Sequence, residues 1–132
     1  MATVAAVRAA LVSALESITS VRWYDQYPGQ IVAPAGVVRR QQYVYGIDFD
    51  GDTDATYAIT VYVPLTEVLT AQALIDTLLS PSGGIYAAIE TDPTLGGIVD
   101  YAIATRATED GLTSLSGIDH LSATVTIVVG GA

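Results

Sequence analysis

From Leu121 to Val129 the chain alternates without interruption, Leu121, Ala123, Val125, Ile127 and Val129 falling on one side and Ser122, Thr124, Thr126 and Val128 on the other. A two-residue period of this length puts every second side chain on the same face of a pleated strand, so the segment reads as a strand with one buried face. Ala55 to Val63 repeats the pattern, with Tyr57, Ile59, Val61 and Val63 opposed to Thr56, Ala58, Thr60 and Tyr62, and Pro64 ending it. Other stretches change period. Val4, Val7, Leu11, Leu15 and Ile18 recur at helical spacing and predict a helix over about Val4 to Ser17, with Thr3 as its cap. Val68, Ala71, Leu74, Ile75 and Leu78 predict a second helix over about Glu67 to Leu79, capped by Thr66.

The punctuation between these segments sets the rest of the plan. Leu79-Ser80-Pro81-Ser82-Gly83-Gly84 stops the second helix and offers Ser82 as N-cap of a short third one over about Gly83 to Glu90. Asp92-Pro93 then places a cap oxygen before a proline suited to a first helical position, and Gly96-Gly97 permits the positive φ that leads into a strand. That strand is expected from Val99 to Arg106, with Val99, Tyr101, Ile103 and Thr105 on one face. Earlier, a strand is expected at Val21 to Asp25, breaks at Tyr27-Pro28-Gly29-Gln30 and Ala33-Pro34-Ala35-Gly36, and extended chain at Val37 to Arg40 and Tyr43 to Phe49. Asp50-Gly51-Asp52-Thr53-Asp54 reads as the polar loop of a hairpin. The order α-β-β-β-α-α-β-β implies an α+β fold, a mainly antiparallel sheet with helices packed on one face, in one domain spanning 1–132.

Composition narrows the chemistry. The 132 residues contain no cysteine, which removes disulfides, thiolate nucleophiles and cysteine-type zinc sites. No signal peptide is expected, because Glu16 and Arg8 lie within the first apolar helix, and no apolar run approaches the ~20 residues of a membrane span. Net charge is −9, and all five basic residues are arginines, which argues against ordinary nucleic-acid binding. The charge is unevenly placed: residues 1–47 carry +2 and residues 48–132 carry −11. Such asymmetry suits a subunit that turns one sign toward its neighbours, and equally an acidic surface that serves solubility.

Few residues could carry chemistry. Asp48, Asp50, Asp52 and Asp54 recur at every second position, but a calcium loop counted from Asp48 needs glycine where Thr53 stands and glutamate where Ile59 stands. An acidic surface loop and a weak, assembly-dependent cation site both remain open. His120 is the sole histidine, and its neighbour Asp119 would point to the opposite face of a strand, so the pair is expected to be non-catalytic. Neither glycine pair belongs to a phosphate-cradling motif, and no lysine is present. Arg39 and Arg40, the only basic doublet, would face opposite sides of a strand, one free to pair with a neighbouring subunit or both simply solvated.

The stretch Leu79-Ser80-Pro81-Ser82-Gly83-Gly84, followed by Ala87 to Glu90, Asp92-Pro93-Thr94-Leu95-Gly96-Gly97 and Ile98-Val99-Asp100, resembles small tail proteins of actinobacterial long-tailed bacteriophages, the tail terminator family. The likeness extends to the opening helix with Val21-Arg22-Trp23-Tyr24-Asp25, to Ala33-Pro34-Ala35 before a strand, and to Gly117-Ile118-Asp119-His120-Leu121, where family members often carry an aromatic in place of His120. It implies a virion protein, assembled in the host cytoplasm, that forms a hexameric ring on the head-proximal end of the tail tube. Such a ring halts tube polymerisation, meets the head or neck proteins and lets the genome pass without binding it. The resemblance implies no enzyme activity, cofactor or membrane contact. In that setting Arg39, Arg40, Asp48, Asp50, Asp52 and Asp54 are the candidate interface or channel residues, the aspartates facing the lumen or an adjoining ring. Other head–tail connector or neck proteins, and a small α+β enzyme or ligand-binding domain, are the alternative readings.

Overall fold

In a computed structural model the chain is described over residues 4–25, 34–44, 54–65, 68–115 and 117–130, with side chains left out at 4, 40–44, 54, 68 and 115. The expected order is present as α1 (Val4–Leu15), β1 (Arg22–Tyr24), β2 (Ala35–Val44), β3 (Asp54–Pro64), α2 (Val68–Leu79), α3 (Ile85–Thr91), β4 (Tyr101–Leu115) and β5 (Ile118–Gly130). The strands form one mixed, mostly antiparallel sheet in the order β1-β2-β3-β5-β4, in which only the β1–β2 pair is parallel.

The two alternating segments identified in the sequence lie side by side at the centre. Ile59 pairs with Val125 and Val61 with Ala123, so the apolar sets of β3 and β5 share a face. Val7, Leu11 and Leu15 of α1, Ala71, Ile75 and Leu78 of α2, and Ile85 and Ile89 of α3 join that face in a single core. Each fully buried Leu or Ile contributes about 1.5–3 kcal/mol, which holds helices of only 12, 12 and 7 residues in place. No helix among the described residues is long and apolar enough to cross a membrane. The face away from the helices carries hydroxyl groups: Thr60 Oγ1 lies 3.3 Å from Thr124 Oγ1, which in turn donates to Asp110 Oδ2 at 2.6 Å.

Local details depart from expectation for identifiable reasons. Ala35 and Gly36, expected to break regular structure, open β2, because the Trp23 ring lies flat enough on Gly36 that a Cβ there would sit 2.2 Å from it. Trp23 Nε1 donates to Ile18 O at 3.0 Å, which ties β1 back to the turn after α1. Asp54 is not in the hairpin loop but begins β3, opposite Val44 and Gly130. The remainder of that loop, the extended segment expected at 45–49, the break at 27–30 and the caps Thr3 and Thr66 lie outside the described residues.

The cap of α3 is Gly84, with no side-chain hydrogen bond, whereas Ser82 turns to Ser80, the two Oγ atoms lying 3.2 Å apart. Close approach to the last turn of α2 decides this, since any Cβ at Gly84 would meet Leu78 O at 2.2 Å. No helix begins at Pro93. Asp92 instead closes α3 and caps a turn, its Oδ1 accepting from Gly96 N–H at 3.0 Å, while Leu95, Gly96 and Gly97 run through positive φ of 50°, 75° and 91°.

The largest departure is β4. It runs through Leu115 rather than ending at Arg106. Ala102 faces the core at 2% exposure while Ile103 is 51% exposed. α3 lies against this strand, and Tyr101 covers Gly130 on the other face, where a Cβ would stand 2.2 Å from its ring.

Candidate interaction surface

β4 is the outermost strand on its side, so a 15-residue edge lies beside the groove that separates it from α3. The loop after α3 covers the start of this edge, where Ala102 N–H donates to Pro93 O at 2.6 Å. Tyr86, projecting from α3, divides the groove into two cavities. One, of about 200 Å³, lies among Leu78, Pro81, Tyr86, Ala104 and Arg106, and the other, of about 270 Å³, among Tyr86, Ile89, Glu90, Pro93 and Ile103. The lining is mainly apolar, and exposed Tyr101, Ile103, Leu112 and Ile118 extend the apolar character along the β4–β5 hairpin. Two irregularities interrupt β4, at Thr105 and at Asp110, where the pairing to β5 shifts by one residue.

Carboxylates on this hairpin are held by neutral donors. Gln72 Nε2 of α2 donates to Glu109 Oε1 at 3.0 Å and to Asp76 Oδ1 at 3.1 Å, and Thr124 Oγ1 fixes Asp110. Glu109 therefore lies on the helix side of the sheet and Asp110 on the other. Among the described residues no three His, Asp or Glu side chains gather as a metal ion would require.

At the other end of the sheet, β1 covers β2 only from Ala35 to Val37. Beyond that point β2 has no described neighbour on its outer side, and this free length contains Arg39 and Arg40. Arg39 is exposed and pairs through the backbone with Ala58, which places it on the face away from the helices. The backbone of Arg40 pairs with Tyr57. Of the aspartates singled out in the sequence, Asp48, Asp50 and Asp52 lie outside the described residues, and the backbone of Asp54 is part of β3. His120 sits in β5 at 7% exposure, with Nδ1 2.8 Å from Ile118 O, opposite Thr113 and Pro64.

Sequence reasoning missed Glu109 and Asp110 as members of a strand, because Glu-Asp-Gly reads as a loop. The signal that would have found them is the hairpin turn at Gly117, φ 79°, which requires a long partner for β5 upstream. No protein-family model matches the chain, and no curated protein matches it.

Proposed function

We propose that the chain is a ring-forming structural subunit of a long-tailed bacteriophage, the tail terminator that caps the tail tube, stops its polymerisation and meets the head or neck. The observation that carries this reading is that the sheet ends in two unlike edges, β1 and the adjoining β2 on one side and β4 on the other, where no further strand pairs among the described residues. Two different surfaces at opposite ends of a subunit favour head-to-tail contact, which closes into a ring when the rotation allows. The turn sequences whose resemblance to terminator proteins prompted this reading, Ser80 to Gly84 and Asp92 to Gly97, set the α2–α3 junction and the approach to β4. In this role the protein works through surface complementarity with its own copies, the tube protein and a connector, without a cofactor, at the head-proximal end of the tail in the virion.

Deletion of the gene from a phage that encodes it tests the proposal. A terminator predicts overlong tails without joined heads in negative stain, restored by the protein in trans. Tails of normal length that fail to join heads would assign the chain to a connector or neck role, and normal infectious particles would reject all of these. The α3–β4 groove is the one feature that favours a ligand-binding domain, but its cavities of about 200 and 270 Å³ fall below the roughly 300–1,000 Å³ usual for small-molecule sites.

A further inference from the structure

We propose that β4 takes an extended segment of a different protein as an added strand, antiparallel along Ala107 to Glu109, a segment in which a lysine or arginine precedes an apolar residue by two positions. The site goes beyond the terminator reading and does not depend on it.

The strand is open where this pairing needs it. Every residue from Thr105 to Asp110 is exposed, so both faces of the stretch meet solvent, and the loop after α3 bonds to the edge earlier, at Ala102. β5 pairs with β3 without irregularity, so its residues turn alternately to β3 and to β4. Asp100 N–H donates to Gly130 O, which puts Gly130, and by alternation Val128, Thr126 and Thr124, on the β4 side. Arg106 and Thr108, opposite Thr126 and Thr124, therefore turn their amides inward, and Ala107 and Glu109 turn theirs outward. The irregularities at Thr105 and Asp110 bound this regular stretch, which suits a short added segment and discourages extended sheet stacking.

The side chains beside the two outward amides differ in chemistry. Ala107 lines the cavity of about 200 Å³ with Leu78, Leu79, Pro81 and Tyr86, room for one aliphatic side chain. Glu109, two residues on and so on the same face, shares Gln72 Nε2 with Asp76, at 3.0 and 3.1 Å, which keeps the two carboxylates within about 6 Å of each other. Among the described residues no cation pairs with either. Like charges this close repel, and a cation between them removes the repulsion as a neutral amide does not. In an antiparallel segment the residue opposite Glu109 comes two positions before the one opposite Ala107, and both turn to the helix side. The order that fits is cation, any residue, apolar residue.

That order also says whose segment it is. A second β4 in this register would set Ala107 opposite Glu109 and send Glu109 into the apolar cavity. Of the five arginines, Arg8 is in α1, while Arg39, Arg40 and Arg106 are followed two positions on by Gln41, Gln42 and Thr108. Arg22 is followed by Tyr24, which is part-buried in its own sheet. A second copy thus offers no free strand of the required order, and the occupant is a different chain, cationic where this one is acidic.

Selection of a display library of random short peptides on the full-length protein should enrich sequences with lysine or arginine two positions before Leu, Ile, Val or Met. A fluorescein-labelled synthetic copy of the enriched sequence, titrated by anisotropy, should bind less tightly as salt rises. Glu109→Gln with Asp76→Asn should weaken binding by more than about tenfold and flatten the salt dependence. Ala107→Pro removes an outward N–H at an edge position where proline is tolerated, and should abolish binding while circular dichroism and Tm stay those of wild type. The charge variant, at two exposed positions, decides alone where the proline variant fails to fold. No enriched order, or an enriched peptide that the charge variant binds as wild type does, would overturn the site. Wild-type multimers in sedimentation that Ala107→Pro and Arg22→Glu each disperse would give the edge to a second copy and overturn the assignment to a different protein.

Discussion

Gly83 and Gly84 are adjacent in the chain yet should respond to the same substitution with opposite sign. A Cβ at Gly84 would stand 2.2 Å from Leu78 O, 2.6 Å from Leu78 C and 2.7 Å from Thr77 O, all backbone atoms of the last turn of α2. Ordinary contact begins roughly 1 Å farther out, so Gly84→Ala must push α3 away from α2 by about that distance. The shift carries Ile85 and Ile89, at 0% and 1% exposure, out of their packed positions. Overpacking of this kind costs about 1–3 kcal/mol, and since backbone cannot step aside as a flexible side chain does, the expected loss is about 2–3 kcal/mol. Gly83 has no heavy atom within 4 Å of its added Cβ, so Gly83→Ala should gain about 0.4–1 kcal/mol by restricting the unfolded chain. The two variants should differ by about 3 kcal/mol, or roughly 10 °C in Tm for a domain of this size. Urea titrations followed by fluorescence of the single tryptophan, Trp23, which is on β1 rather than on either helix, would read global unfolding. Equal midpoints, or greater damage from Gly83→Ala, would refute the close α2–α3 approach.

Three further outcomes follow from particular contacts. Ile75→Ala removes a fully buried side chain between α2 and the sheet and should cost about 3 kcal/mol in the same titration. Asp92→Ala removes the acceptor for Gly96 N–H and should cost about 1 kcal/mol without altering the rest of the fold, read by thermal melts and far-ultraviolet circular dichroism. His120→Ala should lower stability by about 1 kcal/mol through the lost contact to Ile118 O and leave self-association unchanged in sedimentation, so loss of multimers in that variant would place His120 in the interface.

The central strands were legible as strands from their two-residue period, and Tyr57, Ile59, Val125 and Ile127 share the helix-side core as that period demands, but β3 is buried on its other face too, at Ala58, Thr60 and Tyr62, which alternation alone does not predict. The helices were legible for the same reason, their ends less so. Whether Ser82 or Gly84 caps α3 depends on how near α2 passes, and no local pattern encodes that distance. Pro34-Ala35-Gly36 likewise reads as a break until Trp23, 13 residues before Gly36 in the chain, is seen to lie on it.

β4 defeated the same reasoning because an edge strand has surface on both faces. The period alone does not say which set faces the core: Ala102 lies inward at 2% exposure, while Ile103 and Leu112 remain 51% and 63% exposed. An isolated subunit gains nothing from that arrangement, whereas a neighbour laid along the strand would cover part of it. The charge asymmetry visible in the sequence acquires a spatial meaning by the same step. β2 belongs to the arginine-bearing first 47 residues and β4 to the acidic remainder, and the order β1-β2-β3-β5-β4 carries these two strands to opposite ends of one sheet. A gradient along the chain thereby becomes a gradient across the subunit.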